Sequence, residues 1–239
     1  MDRSWEDSYD SAQKRTEDTR RKMFSDALRE KVPALDNSLI FMTPSEVLSA
    51  MEGNLIIKDY HARLKNYVPK EMEIALLFPD AERKPWTRGR TNALIYRNLY
   101  TALKTTGLED KVAIFTLSPI LGVVPEEWYD RMPMYDSSGL QSFMVKRRGL
   151  SWNPEDFRKV IDLSGGILAE FLERNHKRFG SWHAVFQTPS VHQRMLEISL
   201  DRNPLPIWTH PSRKSLSDSY SHVKELLRGI TDPERGKKR

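Results

Sequence analysis

The 239-residue chain has no cysteine, which removes disulfides, thiolate zinc sites, iron–sulfur clusters and thiol nucleophiles together. It also lacks any uncharged run of about 18 residues, the length a membrane-spanning helix needs. The N-terminal MDRSWEDSYDSAQKR carries no apolar segment of the kind a secretion signal requires, so the chain is read as cytoplasmic, with no membrane association. G-x-G-x-x-G, the Walker A loop and the G-x-S-x-G elbow are all missing, which sets aside dinucleotide oxidoreductase, nucleoside triphosphatase and α/β-hydrolase chemistry. Neither H-E-x-x-H nor any Cys/His cluster occurs, so no metal and no cofactor is expected.

What is present is the composition of a folded protein. Hydrophobic residues make up 38% and aromatics 10%, enough for a sizeable core. The net charge of +5 and isoelectric point near 9.3 favour polyanionic partners without requiring them.

Short continuous apolar runs recur: EIALLF, VAIFTLS, WHAVFQ and PLPIWT. Such runs mark strands buried on both faces, and helical periodicity lies between them. Ile95, Leu99 and Leu103 share one helix face. Phe157, Val160, Ile161, Leu168, Phe171 and Leu172 share another, in a helix opened by Asn153 and Pro154 and containing Gly165 and Gly166, which mark a kink or a close approach. Thr43, Pro44 and Glu46 start a further helix that ends near Gly53, and SLIFMT before it reads as a short buried strand.

Strands alternating with helices imply an α/β fold in three layers, with a mostly parallel central sheet flanked by helices. Residues 1–35 read as a charged N-terminal helical appendage with Met23, Ala27 and Leu28 on its apolar stripe. Residues 36–230 form the α/β core domain, and 231–239 a basic disordered tail.

Ligands of such folds bind beyond the carboxyl ends of the strands, which directs attention to the loops after Phe78, Ser118, Gln187 and Thr209. The first, FPDAERKPWTRGRTN, leaves the core at a proline and presents Arg83, Lys84, Arg88 and Arg90 around Trp86. Guanidinium forks and an ammonium suit phosphate, and an indole face suits a base; a solvated loop with Trp86 folded onto the core is the other reading. The long second loop offers Glu126, Glu127, Tyr135 and Asp136, either to a substrate ammonium or to the arginines across a cleft. In the last, THPSRKSLS, His210 and Ser212 stand beside Arg213 and Lys214, where imidazole and hydroxyl could hold a phosphate. His61, His176, His183, His192 and His222 show no partner pattern.

The first loop resembles the signature of archaeosine synthase, a tRNA-modifying relative of tRNA-guanine transglycosylase. Pro79 and Asp80 open the match, Lys84, Pro85 and Trp86 hold its middle, and Gly89 and Asn92 close it with the spacing kept. Where that family carries cysteine, tyrosine, serine and histidine, this chain carries Asp80, Trp86, Gly89 and Asn92. DYHARLKNYVP, SPILGVVPEEW, MPMYD and SWNPED also resemble the neighbouring segments, over about residues 55 to 175. The resemblance implies lysine addition to the nitrile of a cyano-deazaguanine base in tRNA, or a divergent subunit for that step. It makes Lys84, Asp80 and Asn92 the catalytic candidates, and Trp86, Arg88, Arg90, Tyr135, Asp136, His210 and Ser212 the substrate-binding ones. It implies tRNA or another nucleic acid as partner, with a transglycosylase or radical-SAM protein as companion. The fold it implies is uracil-DNA glycosylase-like, and WTHPS looks like the last-strand loop of that fold. That second likeness leaves a glycosylase-like repair protein, or a non-catalytic RNA-docking subunit, as alternatives.

Overall fold

The computed structural model describes residues 4–31, 35–80, 90–212, 225 and 227. The chain divides into two compact units, one formed by residues 1–55 and 133–160 and the other by residues 56–132 and 161–239. The 36–230 span expected as one domain contributes to both.

The first unit is helical. α1 (Ser4–Lys31) belongs to it, with α2 (Pro44–Gly53) and α5 (Ser142–Arg147). α2 begins as its sequence demands: Pro44 takes the first turn, where its missing N–H costs nothing, and the Thr43 hydroxyl accepts from Glu46 N. SLIFMT is not a strand. Asn37–Leu39 forms a single 3-10 turn capped by Asp36, whose carboxylate accepts from Ser38 N at 2.8 Å, and Ile40 makes one isolated bridge to Asp136. The run is apolar because Leu39, Phe41 and Met42 are buried, and its carbonyls are taken one at a time by Asp136 N and Gly139 N. On α1 the stripe turns out to centre on Phe24, which packs on Met42, Val145 and Leu150, while Met23 is 69% exposed.

The second unit holds a five-stranded sheet in the order β3-β2-β1-β4-β5. Its strands are β1 (Met72–Pro79), β2 (Val112–Ser118), β3 (Gly122–Pro125), β4 (Phe179–Gln187) and β5 (Ile207–Ser212). Four of the strands are parallel and β3 alone runs against its neighbour. Ile74 to Phe78 are all buried, as a central parallel strand covered on both faces requires. α4 (Arg90–Thr106) connects β1 to β2, α7 (Val191–Arg202) connects β4 to β5, and α3 (Leu55–Asn66) precedes the sheet.

The antiparallel β3 falls in what reads as loop. Gly122 takes φ +78, and a Cβ there would overlap the Ile167 side chain, so glycine alone can turn the chain back along β2. The Ser118 hydroxyl accepts from the N–H groups of Ile120 and Leu121, closing the turn.

One face of the sheet packs its rings together. Phe115 and Phe171 lie 5.3 Å apart edge to face, and Phe115 stacks on Trp182 at 5.8 Å. Phe171 comes from α6 (Pro154–Asn175), capped by Asn153, whose side-chain oxygen accepts from Glu155 N and Asp156 N. Gly165 of α6 marks a close approach: a Cβ there would stand 2.6 Å from Ile198 Cγ2 of α7.

Candidate functional site

β1 connects toward one edge of the sheet and β4 toward the other, so the strand order reverses between these two neighbours. In open α/β sheets a reversal of this kind, at the strand carboxyl ends, is where ligands bind. β1 and β5 are parallel to β4, so all three end on the same rim. Counting on from Leu77↔Ala184 sets Asp80 level with Gln187, which itself pairs with Ser212. With strands about 5 Å apart, Asp80 and Ser212 stand roughly 10 Å from each other across that rim.

Asp80 is the first residue past β1, and its N–H still donates to Leu117 O at 2.9 Å, which holds its backbone to the sheet. Beyond β4 the chain passes through a cis Thr188–Pro189 peptide to Ser190, whose hydroxyl caps α7 by accepting from Gln193 N at 3.1 Å. This places His192 in the first turn of α7, facing the end of β1. His192 Nε2–H donates to Asp80 Oδ1 at 2.9 Å, with side chains 15% and 7% exposed respectively. The carboxylate therefore selects the tautomer with the proton on Nε2, and Nδ1 takes no partner among the described residues. A carboxylate-oriented imidazole at such a rim can take a proton from one substrate atom and return it to another.

A second imidazole couple lies farther down the sheet. His183 of β4 and His210 of β5 stack with centroids 5.3 Å apart, and His183 Nδ1 meets His210 Nε2 at 3.0 Å. His183 Nε2 meets the Ser181 hydroxyl at 3.1 Å. Burial depresses the His183 pKa below the ordinary histidine value. His61 of α3 is likewise lowered by burial, against the opposing effect of its 3.0 Å bond to the Ile120 carbonyl. A histidine depressed in the folded state contributes stability that is complete above the unfolded value near 6.5 and is lost as pH falls through the folded value. The unfolding free energy is accordingly expected to decline below about pH 6.5, by at most about 1.4 kcal/mol per pH unit for each group, and the melting temperature to fall with it. Circular dichroism melts from pH 8 to 5 check this, and His61→Gln with His183→Gln is expected to flatten the profile.

The candidates from the sequence fall in different places. Lys84, Trp86 and Arg88 lie outside the described residues. Arg90 is the first residue of α4 and Asn92 sits in its first turn, with side chains outside the described set. Asp80 and Ser212 share the rim. His210 is not in a loop: it pairs within β5, opposite Val185. Tyr135 and Asp136 belong to the first unit and are buried there. The Asp136 carboxylate accepts from Ser138 N at 3.2 Å and from the Ser138 hydroxyl, which also accepts from Arg148 Nη2 at 2.9 Å. Glu126 and Glu127 have tyrosine hydroxyls as partners, those of Tyr100 and Tyr67, and the side chains of the loop arginines offered to them from the sequence lie outside the described residues. Burial raises the Glu126 pKa, and the Tyr100 hydroxyl opposes that rise.

His192 is the residue the sequence reading passed over. Its signal was indirect: SVHQRM follows an apolar strand, and a helix capped at its serine sets its second residue on the rim. Among the described residues no cluster of three or more His, Cys, Asp or Glu could hold a metal ion. No helix among them is long and apolar enough to cross a membrane.

No known protein family matches the chain, and no curated protein is similar to it. A crystal structure of AF0587, a protein of unknown function, aligns at 20% identity with a TM-score of 0.44. The alignment covers 70% of this chain and 49% of that one, so the chain spans about half of its length.

Proposed function

We propose that this protein modifies a base of tRNA by the archaeosine synthase type of reaction, the addition of lysine to the nitrile of a cyano-deazaguanine. The supporting observation is the position of Asp80. It opens the signature-like stretch, stands on the rim at the point where the strand order reverses, and holds His192 by a hydrogen bond of 2.9 Å. Arg83, Lys84, Arg88 and Arg90 follow it closely in the chain.

The addition needs little from the protein beyond proton management and positioning. The amine nitrogen bonds to the nitrile carbon, one carbon–nitrogen π bond opens, and a proton leaves the amine for the nitrile nitrogen. There is no leaving group. His192 Nδ1 accepts the amine proton and returns it to the nitrile nitrogen, with Asp80 stabilising the transient imidazolium. Lys84, Arg88 and Arg90 hold phosphate or carboxylate, and Trp86 stacks on the base.

The test is incorporation of labelled lysine into tRNA carrying the cyano-deazaguanine base. Lys84→Ala is expected to reduce incorporation at subsaturating tRNA by about 10- to 100-fold, the loss of one charge-assisted hydrogen bond to the substrate. Binding of that tRNA without incorporation would leave a docking subunit. Release of uracil from single-stranded DNA, lost in His210→Ala, would replace the proposal with the glycosylase reading.

A further inference from the structure

The first unit carries a groove of about 590 Å³ whose lining includes four cations, Arg20, Lys146, Arg147 and Arg148, and no carboxylate. A cleft of one sign focuses its field, and a volume of this size accommodates a nucleotide. Lys146 and Arg147 end α5, where cations are favoured by the helix dipole. That reason does not reach Arg20, which comes from α1 and turns its guanidinium over the same loop. Gly149 permits the approach: it takes φ +70, and a Cβ there would overlap Arg20 Nη1.

The four cations differ in their engagement. Arg148 is held in place, its guanidinium 3.5 Å from the centre of the Phe24 ring and its Nη2 donating to the Ser138 hydroxyl. Arg20, Lys146 and Arg147 are exposed and form no ion pair among the described residues. Met23, Phe24, Met42 and Leu150 complete the lining, with Met23 exposed and Met42 and Leu150 buried. A cationic groove is the electrostatic part of what grips a single strand, by its phosphates and without regard to sequence.

We infer that this groove binds the phosphates of a single-stranded nucleic acid segment, through Arg20, Lys146 and Arg147. The inference shares with the proposed function its class of ligand and rests on that reading in this respect alone. Its test uses the full chain and a labelled single-stranded RNA lacking any modified base, so that strand binding is read apart from catalysis.

Fluorescence anisotropy between 50 and 200 mM salt is expected to show at least a tenfold loss of affinity in the triple variant Arg20→Glu, Lys146→Glu, Arg147→Glu. The logarithmic salt slope is expected to flatten by about 2, three contacts at about 0.7 each for a single strand. A control triple with the same charge change, Lys58→Glu, Lys65→Glu, Lys177→Glu, is expected to retain most of the slope. Equal effects of the two triples, or none from the first, would overturn the site. Tripolyphosphate binding the wild type as tightly as the RNA does would reassign the groove to free polyphosphate.

Discussion

His192→Ala is expected to lower lysine incorporation into tRNA by about 10²- to 10⁴-fold, the range for removal of a positioned proton-transfer group. Asp80→Asn should fall in the same range for a different reason. The amide keeps the shape but has an N–H to offer as well as an oxygen, so it no longer compels the proton onto Nε2, and a share of the imidazole presents the wrong nitrogen. If both residues serve one proton path, the double variant should be little worse than either single one, because effects of groups acting as a unit do not add. A purely structural pair predicts another pattern. Removing either partner would then lower the melting temperature and leave incorporation per folded molecule within about threefold of wild type, and that result would sink the assignment.

The parts of the fold that were legible from sequence share a physical property: their causes are local. β1, β2 and β4 show as continuous apolar runs because a strand covered on both faces has no polar positions to alternate, whereas β5, expected to be buried in the same way, lies at the sheet edge with Trp208 66% exposed. Thr43 and Asn153 show as caps because each bonds an amide within three residues. SLIFMT has the same apolar look as a strand but no adjacent strand to pair with, and periodicity carries no information about neighbours. β3 spans four residues and depends on a glycine turn between two valines and a strand already formed. The site was the least legible part. Asp80 and His192 are 112 positions apart, and nothing in either neighbourhood names the other. Only the sheet order, with its reversal between β1 and β4, brings a loop residue and a helix residue together. The glutamates 126 and 127 show the converse, since nothing local to them names the phenols that the fold supplies, from α4 and from Tyr67 just after α3.

Phe171→Ala is expected to destabilise the second unit by about 3–5 kcal/mol, the range for an aromatic side chain removed from a packed interior. The side chain has no exposure. It stands edge to face with Phe115 at 5.3 Å and with Trp182 at 6.3 Å, and lies parallel to Tyr67 at 6.4 Å. Deleting it strips ring contacts from β2, β4 and the chain after α3 at once. Collapse into the void is restricted, because α6 is held from the other side by its close approach to α7 at Gly165. At about 2–4 °C per kcal/mol for a chain of this size, the melting temperature should drop by roughly 6–20 °C. Phe171→Leu keeps much of the volume and should cost less than half as much, so the ratio of the two separates lost volume from lost ring geometry. The rim should sense the alanine variant too, since β4 carries Trp182 in this cluster and ends at Gln187, five residues before His192. Incorporation by Phe171→Ala measured well below its melting temperature should therefore fall by less than tenfold. A loss as deep as that of His192→Ala would mean that packing alone, without the imidazole, sets the activity of the site.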